Sequence, residues 1–472
     1  MTGIRPRLLR DLGAGLVLLA GGCAVGPDYK RPDVPTPDTY SELGPWKVAE
    51  PKDALPKAEW WTVFGDPTLN ALEAQAVKAS PTLRAAYARF DEALAAAHIA
   101  DGSLYPTVGV NASAYRERFS ANRQTEFPAT RFAYTADNFD LPLDLSYELD
   151  LFGGIRRSAE SAQDLAQAQG ATYQNVLLTL EAGVAQNYFT LRSLAAQKDL
   201  LDRNVALLKD ALTLVRKLRK GGANSDLDVY QAETELATVE SSAVANDRAI
   251  AEQQHALAVL VGQNPEEFRV DAPSAPYRTP VVPVGLPSEL LERRPDVAAA
   301  ERTLAAANAR IGVAKAAFFP SIGLTAFAGA NSDDLSKLLT WSSREWAAGP
   351  QVSLPLFNGG ANYANLREAR AAYDEAQANY RQQVLVAFHE VEDGLSDLRL
   401  LAHQTEILER ASDSAAKATK LSIIRYKAGL VSYIEVIDSQ RTELASELSL
   451  TQARTDRLSA TVLLVRALGG GW

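Results

Sequence analysis

Side chains able to carry out chemistry are sparse in this sequence of 472 residues. It has one cysteine, Cys23, so a disulfide within the chain is excluded. The short motifs of serine hydrolases (G-x-S-x-G), zinc proteases (H-E-x-x-H) and phosphate-binding loops (G-x-x-x-x-G-K-[ST]) are absent. We therefore expect no enzyme, no soluble cofactor and no bound metal. The four histidines are scattered, which argues against a metal cluster: His98, His255, His389 and His403.

Acidic side chains, by contrast, are regularly spaced in the stretch FDLPLDLSYELDLF, residues 139–152. Every odd position is apolar and most even positions are acidic or polar, so the two sets lie on opposite faces of a β-strand. Typical strands have about five or six residues, whereas a strand that crosses a bilayer needs about 9–11. A soluble sheet with its acids in water and a membrane strand with its acids in a wet lumen both remain open. The acids are Asp140, Asp144, Glu148 and Asp150.

A second charged set lies near the C-terminus. Glu435, Asp438 and Arg441 occur at i, i+3 and i+6, which places them on one face of a helix. Several copies of such an acidic face converging on an axis would bind cations, whereas a single copy would be an ordinary solvated surface. The formal net charge of −10 argues against a nucleic-acid partner.

The N-terminus has the features of a secretory signal. Three arginines precede an apolar run that is too short to span a bilayer as a helix. The run ends in LAGGC, which resembles the bacterial lipobox. That resemblance implies removal of residues 1–22 as a signal peptide and attachment of a diacylglycerol and an N-acyl chain such as palmitate to Cys23. Ala24 in the next position implies sorting to the outer membrane.

The elements that must position these residues form an internal repeat. Each half has the order helix, two strands, very long helix, return helix; Pro81 matches Pro295, and Tyr173 matches Tyr380. The long helices contain no proline, and about 66 residues would make a rod of roughly 100 Å. The predicted strands are about 105–116, 139–152, 318–329 and 347–357, and the predicted long helices are about 155–220 and 361–428.

Four strands are too few to close a membrane barrel, for which about eight is the practical minimum. An open sheet in lipid would leave unpaired backbone groups at both edges. If the sheet spans a membrane, several copies of the chain must therefore pool their strands, although this argument does not fix how many.

Long segments of the sequence resemble the TolC-type outer membrane efflux protein family, and most closely its NodT/OprM-like lipoprotein branch. The resemblance covers nearly all of the chain after the signal. It implies a mainly α protein with a membrane β-barrel: a homotrimer with a shared twelve-stranded barrel and a long α-helical barrel. The segments are CAVGPDYKRP, WWTVFGDPTLNALEAQAV, GLPSELLERRPDVAAAERTLAAANARIGVAKAAFFPSIGL, VSLPLFNGG, YKAGLVSYIEVIDSQRTEL and ALGGGW.

The resemblance also implies the function and the division of the chain. The protein would be the outer-membrane exit duct of a tripartite efflux pump, exporting small molecules with a periplasmic adaptor and an inner-membrane resistance–nodulation–division pump. The implied segments are the signal peptide 1–22, a lipid-anchored arm and equatorial segment 23–75, a first repeat 76–264, an equatorial connector 265–290, and a second repeat with the C-terminal equatorial end 291–472.

A periplasmic gate at the helix tips follows from the same resemblance, through the match of IEVIDSQR. Asp438 and Glu435 would narrow the pore, Ile434 would form an apolar constriction, and Arg441 would be a pairing partner. Tyr426 and Asp228 are implied as a hydrogen-bonded latch between coils that holds the closed state. The acids of 139–152 would then line the lumen and favour cations.

Two other functions compete with the duct. A lipid-anchored coiled-coil spacer in the outer membrane, without channel activity, explains the lipobox and the long helices but leaves the repeated long strands unexplained. A passive porin explains the strands but leaves the long helices unexplained.

Overall fold

A computed structural model describes residues 24–32, 59–122, 132–274, 280 and 293–470. The predicted signal peptide 1–22, Cys23, much of the N-terminal arm and most of the connector lie outside these ranges. Among the residues inside them, no helix is both long enough and apolar enough to cross a membrane.

The helices are of very unequal length. Two have 67 residues each, the two return helices have 35 each, and one shorter helix in each half has 22. In chain order they are α1 (Pro67–Ala79), α2 (Pro81–Gly102), α3 (Gly154–Lys220), α4 (Asp226–Leu260), α5 (Pro295–Ala316), α6 (Ala361–Lys427) and α7 (Tyr433–Ala467).

These equal lengths agree with the internal repeat, and the long helices end within one residue of their predicted bounds. Residues 67–102 form two helices, which meet at Ser80. Pro81 lacks an N–H group and its ring clashes with the preceding turn, so a continuous helix cannot form there. The Asp66 side chain caps the first of the two, accepting from the Thr68 and Leu69 amides at 2.8 and 3.2 Å.

The strands in the described ranges form one antiparallel sheet. They are β1 (Thr107–Val110), β2 (Ser113–Phe119), β3 (Tyr134–Leu149), β4 (Ser321–Ser332) and β5 (Arg344–Ser353). Strand β3 pairs with β1 and β2 on one side and with β4 on the other, and β4 pairs with β5.

Prolines move the strand bounds away from those predicted. The strand expected at 105–116 is split into β1 and β2 opposite Pro142, which has no N–H group to donate to the ladder. Asn111 bridges the gap: its amide donates to the Pro142 carbonyl at 3.3 Å, and its side chain donates to Asp144 at 2.8 Å.

The other strands are also shifted. Strand β3 ends at Leu149 rather than at 152 and begins five residues earlier than predicted, at Tyr134. Strand β4 begins only after Pro320, and β5 ends before Pro355, because neither proline can donate a ladder hydrogen bond.

The chain divides into two compact units. The first contains the sheet, with residues 91–168 and 301–379 and the N-terminal segment that ends at Pro32. The second contains residues 169–300 and 380–472, together with 33–90. In the second unit, Leu201, Leu208 and Val239 are buried in a seam between α3 and α4, which agrees with the heptad spacing of the leucines.

Candidate functional site

One face of the sheet is almost entirely apolar. The register places Leu143 beside Ala328, and Ala328 beside Trp346. The side chain of Val110, on the same face, is 63% exposed, and that of Val352 is 65% exposed. Such a continuous exposed apolar surface is costly in water and needs an apolar environment.

The opposite face is polar. Three of the four predicted acids lie on it: Asp140, Asp144 and Glu148 alternate with the leucines along β3. On neighbouring strands this face adds Asn331, which pairs with Asp140, and Gln351. The apolar/polar alternation of the sequence is therefore present in the sheet.

Asp150 does not belong to that set, contrary to the prediction. It follows the end of β3, and its carboxylate accepts from the backbone amides of Ile155 and Arg156 at 3.1 and 2.8 Å and from the Arg156 side chain at 3.2 Å. A carboxylate in this position satisfies otherwise unpaired amides at the start of α3 and is favoured by the helix dipole. Asp150 is thus a helix cap rather than a strand residue.

The segment that follows Cys23 is held against the first unit. The Val25 amide donates to the Phe152 carbonyl at 3.0 Å, and the Tyr29 hydroxyl donates to Glu301 at 2.8 Å. Gly26 has a φ of +128°, and a Cβ atom there would lie 2.6 Å from the Cα of Gly312. Only glycine fits this close approach.

That segment also forms an ion pair. The side chain of Arg157, which is almost fully buried, donates to Asp28 at 2.6 Å and to Glu160 at 2.8 Å. These contacts fix residues 25–29 next to the end of β3 from which α3 continues.

The long helices and their return helices meet at two tips of equal length. Five residues connect each pair, 221–225 in the first tip and 428–432 in the second. Each turn contains a glycine in the left-handed region, Gly222 with φ +76° and Gly429 with φ +71°. Glycine adopts this conformation at no steric cost, so both long helices end at it.

An apolar cluster joins the two tips. It draws on the end of α3 and the beginnings of α4 and α7, and Tyr426 of α6 packs against it. We call the helix pairs α3/α4 and α6/α7 the two coils. Side chains of all four helices share one core here, so the ends of the two coils are packed together. Its buried members are Leu212, Val215, Ala232, Tyr433, Val436 and Ile437.

The predicted gate residues lie on the outer face of α7, away from this cluster. Ile434, Glu435, Asp438 and Arg441 are all exposed. The carboxylates of Glu435 and Asp438 make no hydrogen bond or ion pair with any part of the chain that the structure describes. They are therefore available to residues or ions outside the chain.

Arg441 has a partner that the sequence did not reveal. It forms an ion pair with Glu235 of α4, whose side chain is buried, and so connects the two coils. The Glu235 carboxylate, with a smaller contribution from Asp438, raises the pKa of Arg441 above its ordinary value.

Tyr426 and Asp228, the two residues of the predicted latch, hydrogen-bond to other residues in the described part of the chain. The Tyr426 hydroxyl accepts a hydrogen bond from the Asn224 side chain at 2.8 Å, which links the second tip to the first. Asp228 instead forms a capping box with Ser225: its carboxylate accepts from the Ser225 amide at 2.8 Å, and its own amide donates to the Ser225 hydroxyl at 3.3 Å. Within one chain, the hydrogen bond that links Tyr426 to the other tip is thus made with Asn224 and not with Asp228.

A pair of buried acids in the second unit was not predicted. Glu73 is 0% exposed, and neither oxygen of its carboxyl group has a hydrogen-bond partner within the described ranges. Burial, reinforced by the nearby Glu181, raises the pKa of Glu73 to about 10. Burial also raises the pKa of Glu181 to about 7, although the indole N–H of Trp60 donates to it at 3.0 Å.

The sequence contains a signal for Glu73. In α1 it shares the buried stripe of Leu69, Leu72 and Ala76, at the spacing of a core-facing helix surface. An acidic residue at a core-facing position of such a stripe indicates a buried acid.

Comparison with protein families identifies the chain as a channel. The model described as "Outer membrane efflux protein" matches residues 72–263 and 286–470, one segment in each half. The chain is 34% identical over 463 residues to the solvent efflux pump outer membrane protein SrpC of Pseudomonas putida, with 97% of each protein covered. It is 32% identical over 460 residues to the cation efflux system protein CusC of Escherichia coli, again with 97% of each covered.

Solved structures give the same result. The outer-membrane channel OprN has a TM-score of 0.85 and 34% identity, and the match covers 95% of this chain and 100% of that one. The open state of the MtrE outer membrane channel of Neisseria gonorrhoeae has a TM-score of 0.82 and 29% identity, with 95% and 98% covered.

The predicted fold class, outer-membrane location and role as an efflux exit duct are confirmed by these matches. The protein lies in the outer membrane and extends into the periplasm. The chain belongs to the outer membrane efflux protein family.

Proposed function

We propose that three copies of the chain form one duct, closed at its periplasmic tips until an adaptor and an inner-membrane pump dock there. The observation that supports assembly into a trimer is that the sheet is open at both edges. In the described ranges β5 pairs only with β4, and β1 and β2 pair only with β3, so each edge keeps unpaired backbone groups. Lipid cannot satisfy these groups, so strands of other copies must. With β1 and β2 counted as one interrupted strand, three copies supply twelve.

Cys23 is proposed to carry the lipid anchor. The support is the position of the residues after it, which are fixed at the end of the sheet from which α3 continues. Acyl chains on a residue at this end would enter the bilayer beside the apolar face. Lipidation would thus hold the arm where the chain enters the periplasm.

The gate is proposed at α7, where Glu435 and Asp438 are exposed and their carboxylates have no partner among the described residues. In a trimer, three copies of each would approach one axis and form an acidic ring that binds cations. Asp140, Asp144 and Glu148 would face the same aqueous path. The cross-coil contacts Arg441–Glu235 and Tyr426–Asn224 would hold the tips in the closed arrangement.

Opening has to be driven from outside the chain, since its sequence has no phosphate-binding loop. The family resemblance supports a periplasmic adaptor and a resistance–nodulation–division pump as the partners that dock at the tips. Choice of exported molecule would then be made largely by the pump.

Conductance of single channels tests the gate. We expect Asp438→Ala to raise the resting conductance of the purified protein in planar bilayers. Removal of the acidic ring should widen the constriction of the pore at the helix tips. Asp456→Ala is a matched control, an exposed aspartate on the same face of α7 about five helical turns further along. A resting conductance of Asp438→Ala equal to that of both the wild type and the control would exclude Asp438 from the gate.

A further inference from the structure

A cluster of aromatic and basic side chains lies at the end of the sheet furthest from the helices. Trp341 is 84% exposed and Trp346 is 78% exposed. The register pairs Arg344 with Ala330 and Trp346 with Ala328, which in turn pair with Leu141 and Leu143. Arg344 and Trp346 therefore lie on the leucine face that meets the membrane.

Contacts within the chain hold Arg344 in position. Its guanidinium group lies over the Trp341 ring, and its Nε donates to the Trp341 carbonyl at 3.1 Å. The preceding loop is held by the Thr340 and Ser343 hydroxyls, which donate to the Lys337 carbonyl at 2.7 and 2.9 Å. The terminal N–H groups of the Arg344 guanidinium therefore remain free to donate hydrogen bonds to a ligand.

Arg344 has no acidic partner in the described part of the chain. The adjacent Glu345 pairs with Gly329 and so lies on the opposite face. Lys337, the other cation of the loop, is already paired with Asp334 at 3.3 Å. An unpaired guanidinium group beside apolar surface favours an anion with several oxygen acceptors.

The position of the cluster across the membrane indicates the source of that anion. Strand β5 has 10 residues, which at about 3.4 Å per residue and a tilt of about 40° rise roughly 25 Å, the height of the apolar band of a membrane sheet. Stacked rings of Phe152 and Phe319, 4.6 Å apart, lie near its opposite end, where the helices begin. Arg344 is therefore at the outer-leaflet boundary, where phosphorylated headgroups are located.

We propose that Trp341, Arg344 and Trp346 bind a phosphate-bearing lipid of the outer leaflet, with the guanidinium group on the phosphate and the indole rings at the headgroup boundary. The inference goes beyond the duct and its gate, and requires only that the sheet spans the outer membrane. Pairing of β5 with a strand of another copy uses its backbone edge and leaves this face open to lipid.

Binding of purified lipid A to the full-length protein in phosphatidylcholine nanodiscs tests the site. We expect bisphosphorylated lipid A to bind the wild type and Arg344→Gln to bind it about tenfold more weakly, as expected for loss of a charge-assisted contact. Arg344→Lys should recover only part of the affinity, because an ammonium group lacks the planar fork and the stacking. Lys337→Gln, which removes the already paired cation of the same loop, is the control and should bind normally.

Lipid A stripped of its phosphates should bind the wild type as weakly as bisphosphorylated lipid A binds Arg344→Gln. Equal affinity of the wild type for the two lipids would overturn the proposal, as would normal binding by Arg344→Gln. A fall in oligomer stability of Arg344→Gln with unchanged lipid binding would show that a second copy of the chain covers the cluster, and would overturn it as well.

Discussion

The stability of the folded protein depends on pH through a single side chain, Glu73. Its carboxyl group is fully buried without a hydrogen-bond partner in the described ranges, and its pKa is raised from 4.5 to about 10. The folded protein therefore retains a proton that the unfolded chain releases above about pH 4.5. The contribution of Glu73 to stability is fully present below that pH and is lost as the pH rises toward 10.

We expect Glu73→Gln to remove this loss, because glutamine is neutral at every pH and has a similar shape. In the wild type, Glu73 should lower the free energy of unfolding by up to about 1.4 kcal/mol for each pH unit in this window. Thermal unfolding at pH 6 and pH 9 measures the effect. Glu92→Gln, at an exposed position of α2, is the control. Parallel pH profiles for Glu73→Gln and the wild type would show that the buried acid does not govern the dependence.

At the scale of elements, two acids close together at the end of β3 should behave differently. We expect Asp150→Ala to lower the free energy of unfolding by about 1 kcal/mol, because it removes the cap of α3, and to leave ion selectivity unchanged. Glu148→Ala should leave stability unchanged and weaken the preference for cations, since this residue lies on the polar face of the sheet. Unfolding experiments and reversal potentials in a salt gradient separate the two effects.

The contrast between these acids should hold in both measurements. If Asp150→Ala alters selectivity as much as Glu148→Ala does, Asp150 faces the aqueous path despite its contacts with α3. If both variants lose similar stability, the assignment of Asp150 alone as a cap is wrong.

Helix bounds were predictable because their determinants are local. The long helices contain no proline, and each ends at a turn whose left-handed glycine, Gly222 or Gly429, is visible in the sequence. Strand bounds were predicted less well, because Pro142, Pro320 and Pro355 decide which residues can donate to a ladder only once the register is known.

Side-chain partners at the tips could not be predicted from spacing. Arg441 and Glu235 are 206 positions apart, and Tyr426 and Asn224 are 202 apart. Each pair forms because the two halves of the repeat pack against one another at the tips. The sequence placed Arg441 and Tyr426 at the tips, but their partners depend on that packing.

At the scale of the whole molecule, the repeat explains why one chain is incomplete. Both halves supply a long helix of 67 residues and a return helix of 35. Together they supply a sheet whose two edges are unpaired within the described ranges. The helices satisfy their own backbone groups, whereas the sheet in lipid does not. The proposed assembly therefore follows from the backbone groups of the membrane part.

The mass of the protein extracted from outer membranes, corrected for bound detergent, tests this requirement directly. We expect the mass of three chains, because three copies of the sheet close a barrel of twelve strands. A monomer that leaves the membrane once its lipid anchor is removed would contradict the account, because the sheet would then not span the membrane.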